Sequence, residues 1–178
     1  MLVFTVGHST RTIEEFVGML QTHGVQSVVD TRTVPRSRHN PQFAQEALSA
    51  SLQAAGLRYV WMGKELGGFR KPVPDSINNA WRNDSFRGYA DYMQTAAFTE
   101  ALEKLIALAS EERVAVMCAE AVPWRCHRSL TADALVARGI EVHEIVSAAK
   151  TSLHVLSKMA HVEGDRVTYP LSGRLEFP

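Results

Sequence analysis

The chain has 178 residues with 19 basic and 19 acidic side chains, so its zero net charge supplies no global field toward nucleic acid or an anionic membrane. Its length suits one domain with a sizeable core and is short for two. No apolar run reaches membrane-spanning length, the opening Met1 to His8 lacks the basic flank and long apolar core of a signal peptide, and two cysteines fit free thiols of a cytoplasmic protein.

Short β-branched runs alternate with helical patterns, the mark of a mostly parallel sheet covered by helices. Residues 2–6 are the first predicted strand. Thr12 and Glu15 stand at capping-box spacing before an apolar stripe of Ile13, Phe16, Val17 and Leu20, and Gly24 stops that helix. The second strand is 26–29. A polar loop then leads to Asn40, predicted to cap a helix with Pro41 in its first turn and Phe43, Ala47 and Leu48 on its inner face. Gly56 ends it, and 57–62 is the third strand. Over 63–85 the pattern dissolves into Gly63, Gly67, Gly68, Pro72 and Pro74 with interspersed charges, a length that suggests a lid or binding loop. Helices follow at 86–93 and 98–108, then a buried strand ahead of Cys118 and a helix from Ser129 to the stop at Gly139. Residues 140–145 make the fifth strand. The tail predicts a short helical stretch over 153–159 and a turn at Glu163-Gly164-Asp165 between extended pieces. The expected fold is α/β: a Rossmann-like three-layer sandwich over residues 1–146, its mostly parallel sheet of about five strands bearing helices on both faces. Residues 147–178 form an extension that packs on it.

Reactive residue types follow the predicted strands. Gly7-His8-Ser9-Thr10-Arg11 follows the first, Asp30-Thr31-Arg32 the second, Gly63-Lys64-Glu65 the third and Cys118-Ala119-Glu120 the fourth. In a parallel sheet those loops share one edge and can converge on one crevice. Arg11, Arg32, Arg36, Arg38, Arg70, Arg125 and Arg128 fall in or next to such loops, and guanidinium forks suit phosphate or carboxylate oxygens. The helices beginning near Thr12 and Ser129 would add free N–H groups. The expected anion-binding residues are Ser9, Arg11, Asp30, Arg32, Arg36, Arg38, Arg125, His127 and Arg128. Ion pairs of these arginines with Asp30, Glu65 and Glu120 are the structural alternative.

Several clusters together resemble one family. Val6-Gly7-His8-Ser9-Thr10, Asp30-Thr31-Arg32 with the segment from Pro35 to Phe43, Leu66-Gly67-Gly68, and Met117-Cys118-Ala119-Glu120 followed by Cys126-His127-Arg128 are similar to the prokaryotic family called domain of unknown function 488. The resemblance covers roughly residues 3 to 146; Thr31 stands where members commonly carry valine. It implies an α/β fold with a shared pocket and supplies no activity.

For chemistry, His8 and Glu120 are the acid–base candidates, with His8 expected to titrate near neutrality. Cys126 is a candidate nucleophile, being near a helix start beside His127 and Arg128. Cys118 invites comparison with the strand-ending cysteine of rhodanese sulfurtransferases and cysteine phosphatases. Yet position 124 is tryptophan, the arginine comes one residue late at 125, and the loop lacks glycine, contains Pro123 and carries Glu120. Cys118 therefore reads as a small buried residue ending a core strand, with neither cysteine in a disulfide. A metal site from Cys118, Cys126, His127 and His8 has suitable ligand types at an unusual spacing, and no metal is assigned. Gly7-His8-Ser9 is not a dinucleotide-binding loop, so Asp30 does not mark a nicotinamide enzyme, and no cofactor follows. The expected function is binding of a phosphate-bearing, nucleotide-like small molecule, with hydrolysis or transfer of part of it by His8 and Glu120. The alternative is a non-catalytic nucleic-acid or protein-binding module, drawn from the basic segment 32–39 and from Lys64, Arg70, Lys71, Arg82 and Arg87 interleaved with Trp61, Phe69, Trp81, Phe86 and Tyr89. No membrane partner is expected, and oligomeric state is not legible.

Overall fold

In the computed structural model, which describes residues 1–171, six strands form one mixed sheet in the order β3-β2-β4-β1-β5-β6. Strands β1 (Leu2–Gly7), β2 (Ser27–Asp30), β3 (Arg58–Trp61), β4 (Val114–Cys118) and β5 (Glu141–Ser147) are parallel. β6 (Lys150–Leu153) returns antiparallel along β5. Residues 172–178, the end of the expected extension, lie outside the described residues.

The period-two alternation of the strands divides their side chains between two apolar clusters. Val3, Val29, Val114, Val116 and Val142 join Tyr89 of α4 (Asp84–Tyr92), Phe98, Leu102 and Leu105 of α5 (Ala96–Glu111), and Leu130 and Leu135 of α6 (Arg128–Ala137). Phe4, Val6, Val28, Ala115 and Met117 join Phe16 and Leu20 of α1 (Ile13–Thr22) and Leu48 and Leu52 of α2 (Gln45–Ala54). β4 is buried at all five positions, as a parallel strand covered on both faces must be. The predicted capping box of α1 is present in both directions, and Gly24 ends the helix at φ +67°.

Three predicted elements differ. The helix expected from Asn40 is split: Pro41–Phe43 forms a 3-10 turn without a side-chain cap from Asn40, Ala44 is extended, and α2 begins at Gln45, whose N–H donates to Pro35 O at 2.9 Å. The 63–85 segment begins with a single helical turn, α3 (Gly63–Leu66). Further on, the buried Asp91 carboxylate fixes it, accepting from Val73 N (2.9 Å), Ser76 Oγ (2.5 Å) and Asn78 Nδ2 (2.8 Å). The helical stretch expected over 153–159 is absent. β6 takes Leu153, His154 N–H donates to Val142 O at 2.8 Å, and Leu153 and Val155 are exposed, so no apolar face drives a helix there. The turn at Gly164 does form, joining β7 (His161–Glu163) to β8 (Arg166–Thr168). Among the described residues no helix is long and apolar enough to cross a membrane.

Register brings the strand ends level, pairing Gly7 with Cys118, and Asp30 with both Met117 and Trp61. Gly7 is required by a close approach, because a Cβ there would overlap the Glu120 carbonyl. Gly18, inside α1, has open space around its missing Cβ. Gly7→Ala is therefore expected to destabilise the fold by about 1–3 kcal/mol, and Gly18→Ala to stabilise it by about 0.4–1 kcal/mol. Guanidinium unfolding of both variants checks the opposite signs.

Candidate functional site

Two of the expected anion-binding arginines are consumed inside the protein. Asp30, wholly buried at the end of β2, receives the Arg32 fork, Nε to Oδ1 at 2.9 Å and Nη2 to Oδ2 at 2.6 Å. It also accepts from Arg32 N (3.0 Å) and, across to β3, from Tyr59 Oη (2.7 Å). Burial and the Asp30 charge push the Tyr59 phenol upward. Arg32 Nη1 donates to Phe43 O at 2.8 Å and to His8 Nε2 at 3.3 Å. Four of its five N–H groups are thus engaged.

His8 is buried, stacked on Phe43 with ring centroids 4.2 Å apart, and its Nδ1 lies 2.8 Å from Ser9 O. With Nε2 facing an obligate donor, the ring is assigned as the neutral tautomer protonated at Nδ1. Burial lowers its pKa to about 4, rather than leaving it near neutrality as expected from sequence. Its lone pair faces Arg32, so it has no free base to offer.

Arg128, 1 % exposed at the start of α6, spends all five donors. Nη2 and Nε reach the Glu144 carboxylate at 2.7 and 3.3 Å, and Nη2 also reaches Ala121 O at 3.2 Å. Nη1 donates to Cys118 Sγ at 2.6 Å and Glu120 O at 2.5 Å. Glu144 accepts in addition from Thr5 Oγ1. The helix starts are occupied as well: Thr12 and Glu15 cap α1, while Ser129 N and Leu130 N donate to Cys126 O and His127 O at 3.0 Å.

What remains open is a cavity of about 330 Å³ lined by Arg32, Arg36, Glu120, Arg125, Cys118, Cys126 and His127, with Phe69 and Phe86 on its wall. Arg36 and Arg125 are exposed, and their guanidinium groups have no ion-pair or hydrogen-bond partner among the described residues. Glu120 is exposed, its Oε1 accepting from Val122 N at 3.2 Å. Cys118 and Cys126 are free, buried thiols with sulfurs 2.8 Å apart. The hydrogen bond from Cys118, then His127 Nδ1 at 3.6 Å and the Arg128 charge, hold the Cys126 thiol well below its ordinary range, whereas burial pushes Cys118 up. Gly68 packs so close to the His127 ring that a Cβ would collide with it, and His127 Nε2 is buried without a partner among the described residues.

The other expected residues lie elsewhere. Arg11 donates to Gly7 O (2.7 Å) and Val146 O (3.3 Å) and lines a second cavity of about 610 Å³. Ser9 adopts φ 51°, its N–H bonded to Ala119 O, and Arg38 lines a third hollow that includes Arg36. Tyr59 and Glu144 were not singled out from sequence. Only Glu144 left a signal: it stands two residues after Val142 on an inward row of β5, where a carboxylate needs a buried partner. Among the described residues no three His, Cys, Asp or Glu side chains gather as a metal site.

A model of the family described as "Domain of unknown function DUF488" matches residues 12–135, well over half of the chain. No curated protein and no solved structure matches it.

Two outcomes follow for stability. The folded state holds His8 neutral with a pKa of about 4 against 6.5 when free, so it binds fewer protons than the unfolded chain between those values. His8's contribution is complete above pH 6.5 and is lost as pH falls toward 4, by about 3 kcal/mol in all. His8→Asn should flatten that part of the stability–pH curve, and an unchanged slope would sink the neutral buried ring. Arg32→Ala leaves Asp30 buried and unpaired and should cost about 3–5 kcal/mol, whereas Arg36→Ala should shift stability by less than about 0.5 kcal/mol. Denaturant titration separates the two.

Proposed function

The chain belongs to the DUF488 family, and we propose that its cavity binds a phosphate-bearing small molecule of nucleotide type. The observation that carries this reading is that Arg36 and Arg125, both exposed and unpaired among the described residues, face the same cavity as the aromatic Phe69, which is 80 % exposed. Guanidinium forks take phosphate oxygens in pairs, and an open aromatic face takes a base. Arg32 and Arg128 serve the site indirectly, by holding the strand ends and the 119–121 loop. Hydrolysis or transfer would fall to Glu120 and Cys126, which reach the cavity, and not to His8.

The architecture supports the same place for a ligand. We read it as a Rossmann-like three-layer sandwich whose residues 147–171 pack on it as an extension, and sheets of that kind bind ligands outside the C-terminal strand ends. Two free thiols agree with a reducing, cytoplasmic setting.

Calorimetry against a panel of nucleotides, phosphate and sulfate tests the proposal. Arg36→Ala and Arg125→Ala should each weaken nucleotide or phosphate binding by about 1.5–3 kcal/mol with the fold intact. Absence of binding to every panel member, together with a salt-dependent shift of labelled oligonucleotides, would replace it with the non-catalytic nucleic-acid module.

A further inference from the structure

The second thiol at the cavity has no part in anion binding. Cys118 ends β4 and Cys126 follows a 3-10 turn at Pro123–Arg125, so their loop returns the chain to its own start and sets the sulfurs 2.8 Å apart. Both cysteines line the same cavity. A disulfide bond is ~2.05 Å long, so bonding requires the sulfurs to approach by less than about 1 Å.

The two sulfurs are also chemically unequal. Cys126 has His127 Nδ1 at 3.6 Å and accepts from Cys118, whose ionisation burial opposes. Arg128 Nη1, 2.6 Å from Cys118 Sγ, lies where negative charge developing on that sulfur would be stabilised. One sulfur is thus arranged to attack and the other to follow.

We propose that Cys126 and Cys118 form a hydroperoxide-reducing dithiol, with Cys126 the attacking sulfur and Cys118 the resolving one. The Cys126 thiolate attacks one peroxide oxygen, the O–O bond breaks, and the departing hydroxide or alkoxide takes a proton from solvent. Cys126 is thereby oxidised by two electrons to the sulfenic acid. Cys118 sulfur then attacks the Cys126 sulfur, the S–OH bond breaks, and the leaving hydroxide carries off the Cys118 proton as water. The products are an intramolecular disulfide and, for hydrogen peroxide, two waters. A dithiol from solution returns the pair to the reduced state by exchange. The reaction shares Cys126 with the proposed transfer chemistry but uses neither Arg36 nor Arg125, so it needs no bound nucleotide.

The test uses the full chain, reduced and then freed of reductant, with stoichiometric hydrogen peroxide near neutral pH and no nucleotide or phosphate. Intact-mass measurement should show loss of two hydrogens, with a Cys118–Cys126 link in the peptide map. The rate should exceed that of the same thiols in the denatured chain by at least about tenfold. Cys118→Ser should stop at a Cys126 sulfenic acid trapped by dimedone, and Cys126→Ser should lose the fast reaction. Because either variant can fail to fold, the wild-type mass and rate stand alone as the deciding measurement. A rate no faster than in the denatured chain, oxidation to sulfinic acid without a disulfide, or linkage between chains would each overturn the proposal.

Discussion

A guanidinium removed from water must find an acceptor for every N–H it carries, and Arg128 meets that demand only through groups distant in the chain. Its acceptors are the Glu144 carboxylate of β5, the Cys118 sulfur of β4, and the carbonyls of Glu120 and Ala121. The register opposite Glu144 places Thr5, whose hydroxyl takes a remaining lone pair of the carboxylate. One side chain therefore ties three neighbouring strands to the first turn of α6. It also fixes the 119–121 loop, since shifting that backbone would strand buried donors on a charged group.

The second buried pair, Asp30 with Arg32, does for the other half of the sheet edge what Arg128 does for the first. Tyr59 from β3, the Phe43 carbonyl ahead of α2 and the His8 ring after β1 all converge on it. With both pairs internally neutralised, the field in the cavity is set by groups left over: Arg36 and Arg125, opposed by Glu120. A chain of zero net charge thus still presents a local pattern to a ligand. That pattern depends on which arginines the fold has already used, and the number of arginines in the loops does not report it.

This division explains what was legible in the sequence. Local signals read correctly, because their causes lie within a few residues: the Thr12–Glu15 box, the stops at Gly24 and Gly56, the turn at Gly164, and the strand-end placement of the reactive loops. The ion pair of Arg32 with Asp30, two residues apart, was open to the same reading. The fate of Arg128 was not, since its partner lies 16 residues on, in another strand. The α2 start moved for a similar reason, set by a bond to Pro35 O and not by Asn40. The tail showed the converse failure: a helical stretch was expected over 153–159, but Leu153 is held by β6 pairing, and both it and Val155 are exposed.

The same network decides which of two adjacent sulfurs carries charge. Arg128 touches Cys118, and an isolated arginine there would draw the negative charge to that sulfur. Burial of a thiol 3 % exposed, together with the neighbouring Cys126 sulfur, outweighs the Arg128 charge at Cys118. Burial raises the Cys118 thiol, whose sulfur lies 2.8 Å from that of Cys126, and His127 Nδ1 lies 3.6 Å from Cys126 Sγ. The Cys118 sulfur, His127 and Arg128 together lower the Cys126 thiol. The glutamate on β5 touches neither thiol and meets the pair only through the guanidinium that also binds Cys118.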